Sequence, residues 1–391
     1  MKMGRAAVWH GRFDIKVESL PLPEVKKDSV LIKVEAASVC GTDGHLIQED
    51  PPYPAILCHE VVGRIVEMGE ESGESLNVYG GSLREGDRIV IYPWVTCGRC
   101  EGCLHHRSGT CTTCENSFVY GIPYSKLGLE GKERISSSVQ IAPYFKGGFA
   151  EYLYVFPNTY VWKIPDGMPS KVAALLDPMA VAVRGIELAQ TCPGILEESF
   201  NTNAQVVVIG SGPVGTLTAL AAKIMGVEQV IIVGGRKKRL EIGQKVAGTD
   251  RVIGNEFEEA DKVAKVKEMT RGGADVVFQC ANSSNAFAQG LEMLRRLGSL
   301  IEIGNMVNTG HEIRFDPARL ICNKHARIVG MSANHPGAFD KAFHLLQRYN
   351  QYPFEHLFTH TCGLERIGET LQKMHNADYM KGLVLPGGGS R

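Results

Sequence analysis

The sequence lacks an excess of charge of either sign: 42 Lys and Arg residues face 43 Asp and Glu residues, for a net charge of −1. Without a basic surplus, nothing electrostatic favours a nucleic acid or a membrane surface as the partner. The N-terminal stretch MKMGRAAVWHGRFD also lacks the continuous apolar core of a signal peptide. Eleven cysteines without an export signal favour a reducing compartment, so we expect a cytoplasmic protein with thiols that bind metal or stay free.

The sequence also lacks an uninterrupted apolar run of membrane-spanning length. The nearest approach is residues 206–222, which are uncharged and mostly apolar. This run contains Gly210, Gly212, Pro213 and Gly215, where a spanning helix would lose its regularity. The pattern is more typical of a buried parallel strand that leads into a helix, and it predicts no transmembrane segment.

The length of 391 residues predicts two domains rather than one core. Residues 1–177 carry short apolar strands between Gly and Pro turns, while residues 178–331 alternate strands with helix-length segments. That alternation predicts an α/β fold with a doubly wound parallel sheet beside a β-rich domain. Residues 332–386 are expected to return to the first domain, and residues 387–391 to be a tag or a disordered tail. Predicted strands include 30–34, 61–67, 205–209, 275–280 and 299–303, a predicted helix covers 286–297, and residues 70–86 and 115–145 are predicted as long loops.

Four closely spaced cysteines form a C-x2-C-x2-C-x7-C pattern: Cys97, Cys100, Cys103 and Cys111. Two residues between cysteines let a tight turn aim both sulfurs at one Zn²⁺, and four thiolates close a tetrahedron. A closed site leaves no position for a substrate, so we expect a structural zinc lobe over residues 95–115. The remaining cysteines outside other motifs have no partner and are predicted to be ordinary buried thiols: Cys114, Cys192, Cys280, Cys322 and Cys362.

A glycine-rich turn follows the apolar strand QVVVI and opens an apolar helix. It reads Gly210-Ser-Gly212-Pro213-Val214-Gly215, the G-x-G-x-x-G fingerprint in the strand-to-helix context that dinucleotide binding requires. The glycines would let the backbone approach a pyrophosphate at the positive end of the helix. The alternative is an ordinary glycine-rich turn.

The end of the next strand bears on the identity of the cofactor. NAD-binding sheets carry an acidic residue there for the ribose 2′-hydroxyl, but this chain reads Gly234-Gly235-Arg236 followed by three more cations. A 2′-phosphate would be attracted by Arg236, whose planar guanidinium suits phosphate. The missing acid favours NADP(H), with NAD(H) left open; the alternative is a basic, solvated helix start.

A dispersed set of metal-ligand residues lies outside the cysteine lobe: Cys40, His59, Glu60 and Asp177. Each one alone is more often a core residue than a ligand. Together they offer a thiolate, an imidazole and carboxylates, the mixed set typical of catalytic zinc with an open position. Such a site can polarise an alcohol or carbonyl oxygen as a Lewis acid.

The order of these motifs resembles the zinc-dependent medium-chain alcohol dehydrogenase superfamily. The resemblance rests on Cys40-Gly-Thr-Asp, then His59-Glu60, the four-cysteine lobe, Gly-Gly-Phe-Ala-Glu-Tyr at 147–152 and the glycine-rich unit. It covers essentially the whole chain and is nearest to the polyol, threonine and bacterial secondary-alcohol dehydrogenases. It implies a GroES-like catalytic domain joined to a Rossmann domain. Gly234-Gly235-Arg236 is also similar to the Gly-Ser-Arg of NADP-dependent secondary-alcohol members.

The resemblance also implies roles for individual residues. Cys40, His59 and Asp177 match the catalytic zinc ligands, and Glu60 matches a residue that either ligates zinc directly or exchanges with water. Thr42 and His45 match a proton relay through the cofactor ribose, and Asp43 a residue that orients His59. Cys58 stands where the family usually has glycine.

The expected activity is therefore the interconversion of a secondary or polyol-type alcohol with its ketone or aldehyde, by hydride transfer with NADP(H), in a homodimer or homotetramer. An NAD(H)-dependent polyol or threonine-type dehydrogenase is the alternative. A zinc-free reductase of the same superfamily would lack the Cys40, His59 and Asp177 set. A non-catalytic zinc-ribbon protein for nucleic acid is disfavoured by Glu101 and Glu115, which flank the cysteines.

Overall fold

The structure, a computed structural model, describes residues 2–105, 113–123, 134–191, 200–249, 251–306, 310 and 312–387. The chain divides into two compact units. The first comprises Met1–Asp177, Ala333–Gln351 and Phe358–Arg391, and the second comprises Pro178–Ser332 and Tyr352–Leu357.

The strands of the described residues are numbered in chain order. They are β1 (Met3–Gly11), β2 (Asp14–Pro21), β3 (Val30–Ser38), β4 (Ala55–Ile56), β5 (Glu60–Met68), β6 (Asn77–Tyr79), β7 (Arg88–Ile91), β8 (Trp94–Val95), β9 (Phe118–Val119), β10 (Tyr152–Val155), β11 (Tyr160–Lys163), β12 (Gln205–Ile209), β13 (Gln229–Val233), β14 (Val252–Ile253), β15 (Ala274–Gln279), β16 (Leu294–Glu302), β17 (Arg327–Gly330), β18 (Phe358–Cys362) and β19 (Lys381–Val384).

The α-helices follow the same convention. They are α1 (Gly41–Leu46), α2 (Ser72–Ser75), α3 (Glu101–His105), α4 (Ser170–Ala173), α5 (Leu176–Thr191), α6 (Pro213–Ile224), α7 (Lys237–Ala247), α8 (Glu259–Met269), α9 (Ser284–Met293), α10 (Pro336–Leu346) and α11 (Ile367–Gln372). Short turns of other helix types cover Ala318–Cys322, Phe354–Leu357, Leu364–Arg366 and Lys373–His375.

The first unit is built on an eight-stranded mixed sheet in the order β18-β19-β3-β5-β7-β11-β6, with β10 also paired to β3. Strand β3 lies at its centre, and most of its side chains are buried because neighbours pack against it on both sides. A three-stranded sheet, β2-β1-β4, and the pair β8-β9 complete the unit. Its core is one apolar cluster that includes Trp9, Ile32, Val61, Phe149 and Leu153.

The second unit contains a six-stranded sheet in the order β14-β13-β12-β15-β16-β17, in which every pairing is parallel. Apart from Gln205 at its start, β12 is fully buried, as expected for a parallel strand covered on both faces. Helix α6 packs against α7, and α8 against α9. The predicted α/β architecture, with a β-rich part and a doubly wound parallel sheet, is confirmed.

Three local predictions were wrong. The loop predicted over 115–145 contains the strand β9. The helix predicted over 286–297 ends at Met293, because residues from Leu294 onward pair with the neighbouring parallel strand as β16. The loop predicted over 70–86 contains the short helix α2 and the strand β6, which pairs with β11. Among the described residues, none of the helices combines the length and the apolar character needed to span a bilayer.

Candidate active site and zinc-binding lobe

Three of the predicted ligands form a cluster in the first unit. Cys40, His59 and Glu60 each offer a ligand atom within 4.8 Å of the other two. Asp177 joins them, with its Oδ2 3.5 Å from Nε2 of His59. Cys40 precedes α1, His59 and Glu60 stand where β5 begins, and Asp177 lies in the first turn of α5.

The cluster carries buried donor atoms without protein partners. His59 Nδ1 and Asp177 Oδ1 are both buried and have no hydrogen-bond partner among the described residues. Burial raises the pKa of Asp177 to about 6. Burial also lowers the pKa of His59, but the Cys40 thiolate and nearby carboxylates outweigh it and raise that pKa to about 10. A thiolate, an imidazole and a carboxylate with unsatisfied buried atoms are a donor set that fits Zn²⁺.

Asp43 is fully buried, and its hydrogen bonds go to backbone N–H groups rather than to the His59 ring. Its two carboxylate oxygens accept the backbone N–H of Cys40, at 2.9 Å, and the N–H of Cys58, at 3.2 Å. Asp43 therefore joins the two chain segments that supply the thiolate and the imidazole, rather than binding the imidazole ring itself. Burial is also the main cause that raises the pKa of Asp43 to about 6.

Glu60 has a buried counter-charge that sequence reasoning missed. Lys381 on β19 places its Nζ 2.7 Å from Oε2 of Glu60, and each side chain is only 2% exposed. The same ammonium donates to the carbonyl oxygen of Val39 at 3.0 Å, and the Ser38 hydroxyl donates to the Glu60 carboxylate. Because β19 and β5 both pair with β3, the sheet itself brings these two residues together.

The predicted relay residues both lie on α1. The Thr42 hydroxyl oxygen is 3.6 Å from Sγ of Cys40, so this hydroxyl lies next to a predicted zinc ligand. His45 is half-buried one turn further along. Burial, and after it the charge of His375, lowers the pKa of His45.

Four of the described cysteines of the lobe also converge, and the fourth among them is Cys114. Cys97, Cys100, Cys103 and Cys114 form the second cluster of metal-ligand atoms, with Cys97–Cys103 and Cys100–Cys114 sulfur separations of 4.0 Å each. Four sulfurs 2.3 Å from a zinc would lie about 3.8 Å apart, so the cluster fits a tetrahedral site. Backbone N–H groups, first that of Glu115, lower the pKa of Cys100 to about 6 and favour its thiolate.

The prediction for the other cysteines therefore needs correction. Cys111, the fourth ligand expected from spacing, lies outside the described residues, and so does Cys192. Cys114 is a member of the sulfur cluster rather than an ordinary thiol. Cys322 is exposed rather than buried, whereas Cys362 is buried as expected.

The glycine-rich turn of the second unit has the geometry of a phosphate-binding loop. Gly212 precedes α6, and Pro213 and Val214 form the helix's first turn, where backbone N–H groups point outward. Gly210 has φ +113°, and a Cβ on Gly215 would lie 1.8 Å from the carbonyl oxygen of Gly210. Both positions therefore require glycine.

The cations expected at a ribose phosphate lie beside this loop. Gly234 and Gly235 follow β13, and Arg236 is the residue just before α7. The first turn of α7 holds no acidic residue. Arg239 comes close to the glycine-rich turn: its guanidinium is 3.9 Å from where a Cβ on Gly212 would lie.

Comparison with known proteins identifies the family. The model described as "alcohol dehydrogenase GroES-like domain" matches residues 26–166, and the model described as "zinc-binding dehydrogenase" matches residues 213–348. An L-threonine 3-dehydrogenase of Chelativorans sp. (strain BNC1) is 30% identical over 304 residues, which cover 76% of this chain and 75% of that protein. The chain belongs to the zinc-dependent alcohol dehydrogenase family.

Further relatives agree with this assignment. A sorbitol dehydrogenase of Bacillus subtilis (strain 168) is 29% identical over 309 residues, which cover 77% of this chain and 74% of that protein. The solved structure of an alcohol dehydrogenase from Thermotoga maritima is similar at a TM-score of 0.85, with 26% identity, over 98% of this chain and all of that one. The predicted GroES-like and Rossmann architecture is confirmed. Membership makes the protein an oxidoreductase that acts on small molecules with zinc and a nicotinamide cofactor.

The backbone conformation at position 58 suits glycine, the residue that the family resemblance implied there. Cys58 adopts φ +81°, in the left-handed region that favours glycine, immediately before His59. Its thiol is buried and directed toward the carbonyl oxygen of Ser38 at 3.4 Å. Burial raises the pKa of this thiol well above its usual value.

The lobe gives a direct test of its fourth ligand. Cys114→Ser should remove one zinc per chain and lower the Tm by about 5 °C or more, because a structural zinc contributes folding free energy. Cys111→Ser is the matched control and should retain both the zinc and the Tm. Metal content by mass spectrometry and thermal unfolding measure the two effects, and zinc loss from the Cys111 variant alone would restore the assignment by spacing.

Proposed function

We propose that the protein interconverts a secondary or polyol-type alcohol and its ketone or aldehyde, using NADP(H). The observation that carries this proposal is the largely buried cluster of Cys40, His59 and Glu60 with Asp177 beside it, whose mixed donors, with His59 Nδ1 and Asp177 Oδ1 unpartnered, suit a zinc ion with an open position. The four-thiolate lobe has no open position and is assigned a structural role.

The chemistry divides between the bound groups and the protein's own side chains. Zinc supplies Lewis acidity toward the substrate oxygen, and the nicotinamide ring accepts or donates the hydride. Thr42 accepts the proton of the substrate hydroxyl, since its own hydroxyl lies beside Cys40. His45, half-buried on the same helix, then takes the proton toward solvent. Asp43 accepts the N–H groups of Cys40 and Cys58 and so holds together the two segments that carry Cys40 and His59.

The preference for NADP(H) is supported by charge around the second unit's binding loop. A carboxylate that would grip an NAD ribose is missing after β13, and Arg236 occupies that place at the positive end of α7. Arg239, close to Gly212, adds a second guanidinium to the same region. Both cations would favour a 2′-phosphate over a 2′-hydroxyl.

This cofactor proposal predicts a selective loss. Arg236→Ala should raise KM for NADPH by about 10- to 100-fold, the range for losing a charge-assisted hydrogen bond, and KM for NADH by less than about threefold. Lys238→Ala is the matched control on the same helix, because Lys238 is solvent-exposed and pairs with Glu241. Steady-state kinetics with both cofactors measure the effect, and equal changes for NADPH and NADH would overturn the proposal.

An NAD(H)-dependent polyol or threonine-type dehydrogenase is the second candidate, because the similar proteins include a sorbitol dehydrogenase and L-threonine 3-dehydrogenases. A panel of secondary alcohols, polyols, L-threonine and the corresponding ketones, followed by cofactor absorbance, separates the candidates. Turnover of a secondary alcohol or polyol with NADP⁺ supports the first proposal. Turnover only with NAD⁺ supports the second, and turnover with no member of the panel contradicts both.

We also propose that the protein assembles as a homodimer or homotetramer in the cytoplasm. Strand β17 lies at one edge of the parallel sheet and exposes 38% of Ile328, a combination that favours pairing with a second copy. The described cysteines are all free, in keeping with a reducing compartment. Sedimentation velocity that finds only monomers would contradict the assembly.

A further inference from the structure

Three neighbouring strands of the parallel sheet in the second unit end in loops that are joined to one another by hydrogen bonds. These are β12, β15 and β16, which are neighbours in the sheet. The N–H of Cys280, after β15, donates to the carbonyl oxygen of Ile209 at the end of β12, at 2.7 Å. The N–H of Gly304, after β16, donates to the carbonyl oxygen of Gln279 at 2.8 Å.

These loops lie where a doubly wound sheet binds its ligand. From β12 the chain proceeds to β13 and β14 on one side, and β15 to β17 lie on the other, so the order reverses between β12 and β15. Ligands of such sheets bind outside the carboxyl ends of the strands at this point, with the two halves of a dinucleotide on opposite sides of it. Since the ribose-phosphate side is that of β13 and Arg236, the nicotinamide half belongs to the side of β15 and β16.

Gln279 ends β15 and is completely buried. Its Oε1 accepts the N–H of Ala281 at 2.6 Å, and its Nε2 donates to the carbonyl oxygen of Ala281 at 2.8 Å. The same Nε2 donates to the carboxylate of Glu302, at 3.2 Å and 3.3 Å from its two oxygens. The side-chain amide of Gln279 therefore holds the loop that follows β15 and also contacts the end of β16.

Glu302 ends β16 and is half-buried. Its Oε1 accepts the backbone N–H groups of Gly304 and Asn305, each at 2.9 Å, besides the Gln279 amide. Burial is the largest influence on its carboxyl group and raises its pKa, while these donors oppose that rise. A partly buried carboxylate at the end of a parallel strand is costly, and here three N–H donors offset that cost.

We propose that Gln279 and Glu302 are a pair of positioning residues for the nicotinamide half of the dinucleotide. The pair ties the loop after β15 to the loop after β16, so both backbones have fixed positions before the cofactor binds. A preorganised backbone lowers the entropic cost of binding. This inference rests on the proposed dinucleotide-dependent function and specifies which side chains shape its second half-site.

The test compares binding of the whole cofactor with binding of its adenosine half. Glu302→Gln and Gln279→Glu should each raise the Kd for NADPH about tenfold, because one variant sets an amide against an amide and the other a carboxylate against a carboxylate. The Kd for 2′,5′-ADP, which lacks the nicotinamide half, should stay within about twofold. The double variant Gln279→Glu with Glu302→Gln restores one amide–carboxylate contact but not the amide donor to the carbonyl oxygen of Ala281, and it should bind NADPH more tightly than Gln279→Glu alone.

Glu292→Gln is the control, because Glu292 lies on α9 in the same unit and pairs with Arg319 instead. Unchanged NADPH binding in both single variants would overturn the inference, as would an equal loss of NADPH and 2′,5′-ADP, which signals a general defect of the unit. Binding of neither NADPH nor NADH by the parent protein would instead contradict the proposed function itself. If the parent binds NADPH and both single variants bind it equally well, the positioning role is wrong while the proposed function is not contradicted.

Discussion

Replacing Cys40 by Ser, or His59 by Ala, should lower kcat by about 1,000-fold or more while the Kd for NADPH stays within about threefold. Each variant removes one ligand atom from the cluster of Cys40, His59 and Glu60. Loss of Lewis-acid stabilisation amounts to several kcal/mol of the barrier, and each 1.36 kcal/mol is a tenfold change in rate. The dinucleotide loop lies on the other unit, so its affinity should be retained.

A matched control for this result is Cys322→Ser. Cys322 is exposed and outside both metal-ligand clusters of the described residues, so its loss should leave kcat within about twofold. Stopped-flow or steady-state NADPH absorbance gives kcat, and fluorescence titration gives Kd. A Cys40 variant that turns over at the parent rate would remove the basis for the proposed mechanism.

Replacing Lys381 by Met should lower the free energy of unfolding by about 3–5 kcal/mol. The change leaves the Glu60 carboxylate, which is 2% exposed, without its partner ammonium, and a buried uncompensated charge costs that much. Lys381→Arg keeps the positive charge, although its planar guanidinium has to fit a space shaped for an ammonium. This variant should therefore lower the free energy of unfolding by less than Lys381→Met does. Urea unfolding of the variants measures these differences.

The Lys381 prediction has an internal check in a double variant. Adding Glu60→Gln to Lys381→Met removes the orphaned charge and should recover a large part of the lost stability, although kcat stays low because Glu60 belongs to the zinc cluster. If the double variant were as unstable as the sum of two independent changes, the ion pair would not be the source of the effect.

The sequence predicted those parts of the molecule that local motifs specify. The strand Gln205–Ile209 and the glycine-rich turn after it are contiguous, so periodicity and turn chemistry locate both. The end of the helix before Leu294 was harder to predict, because the apolar pattern of this helix continues without a break into β16. Sheet pairing, rather than local propensity, decides where that helix ends.

Residues that depend on tertiary packing could not be predicted in this way. Lys381 meets Glu60 only because β19 joins the sheet that also contains β5, and the isolated sequence around Lys381 carries no motif. Spacing indicated Cys111 as the fourth ligand of the lobe, whereas among the described residues it is Cys114 that lies with the other sulfurs. Glu302 interrupts an apolar strand, and its contact with Gln279 gave no sequence signal beyond that interruption.

The most direct test of the two-zinc account is the metal content of the purified chain, measured together with turnover on the same sample. We expect two zinc ions per chain in the parent and one in the Cys40→Ser variant, which retains the lobe cluster of Cys97, Cys100, Cys103 and Cys114. One zinc per chain in a fully active parent, or two in the Cys40→Ser variant, would contradict it.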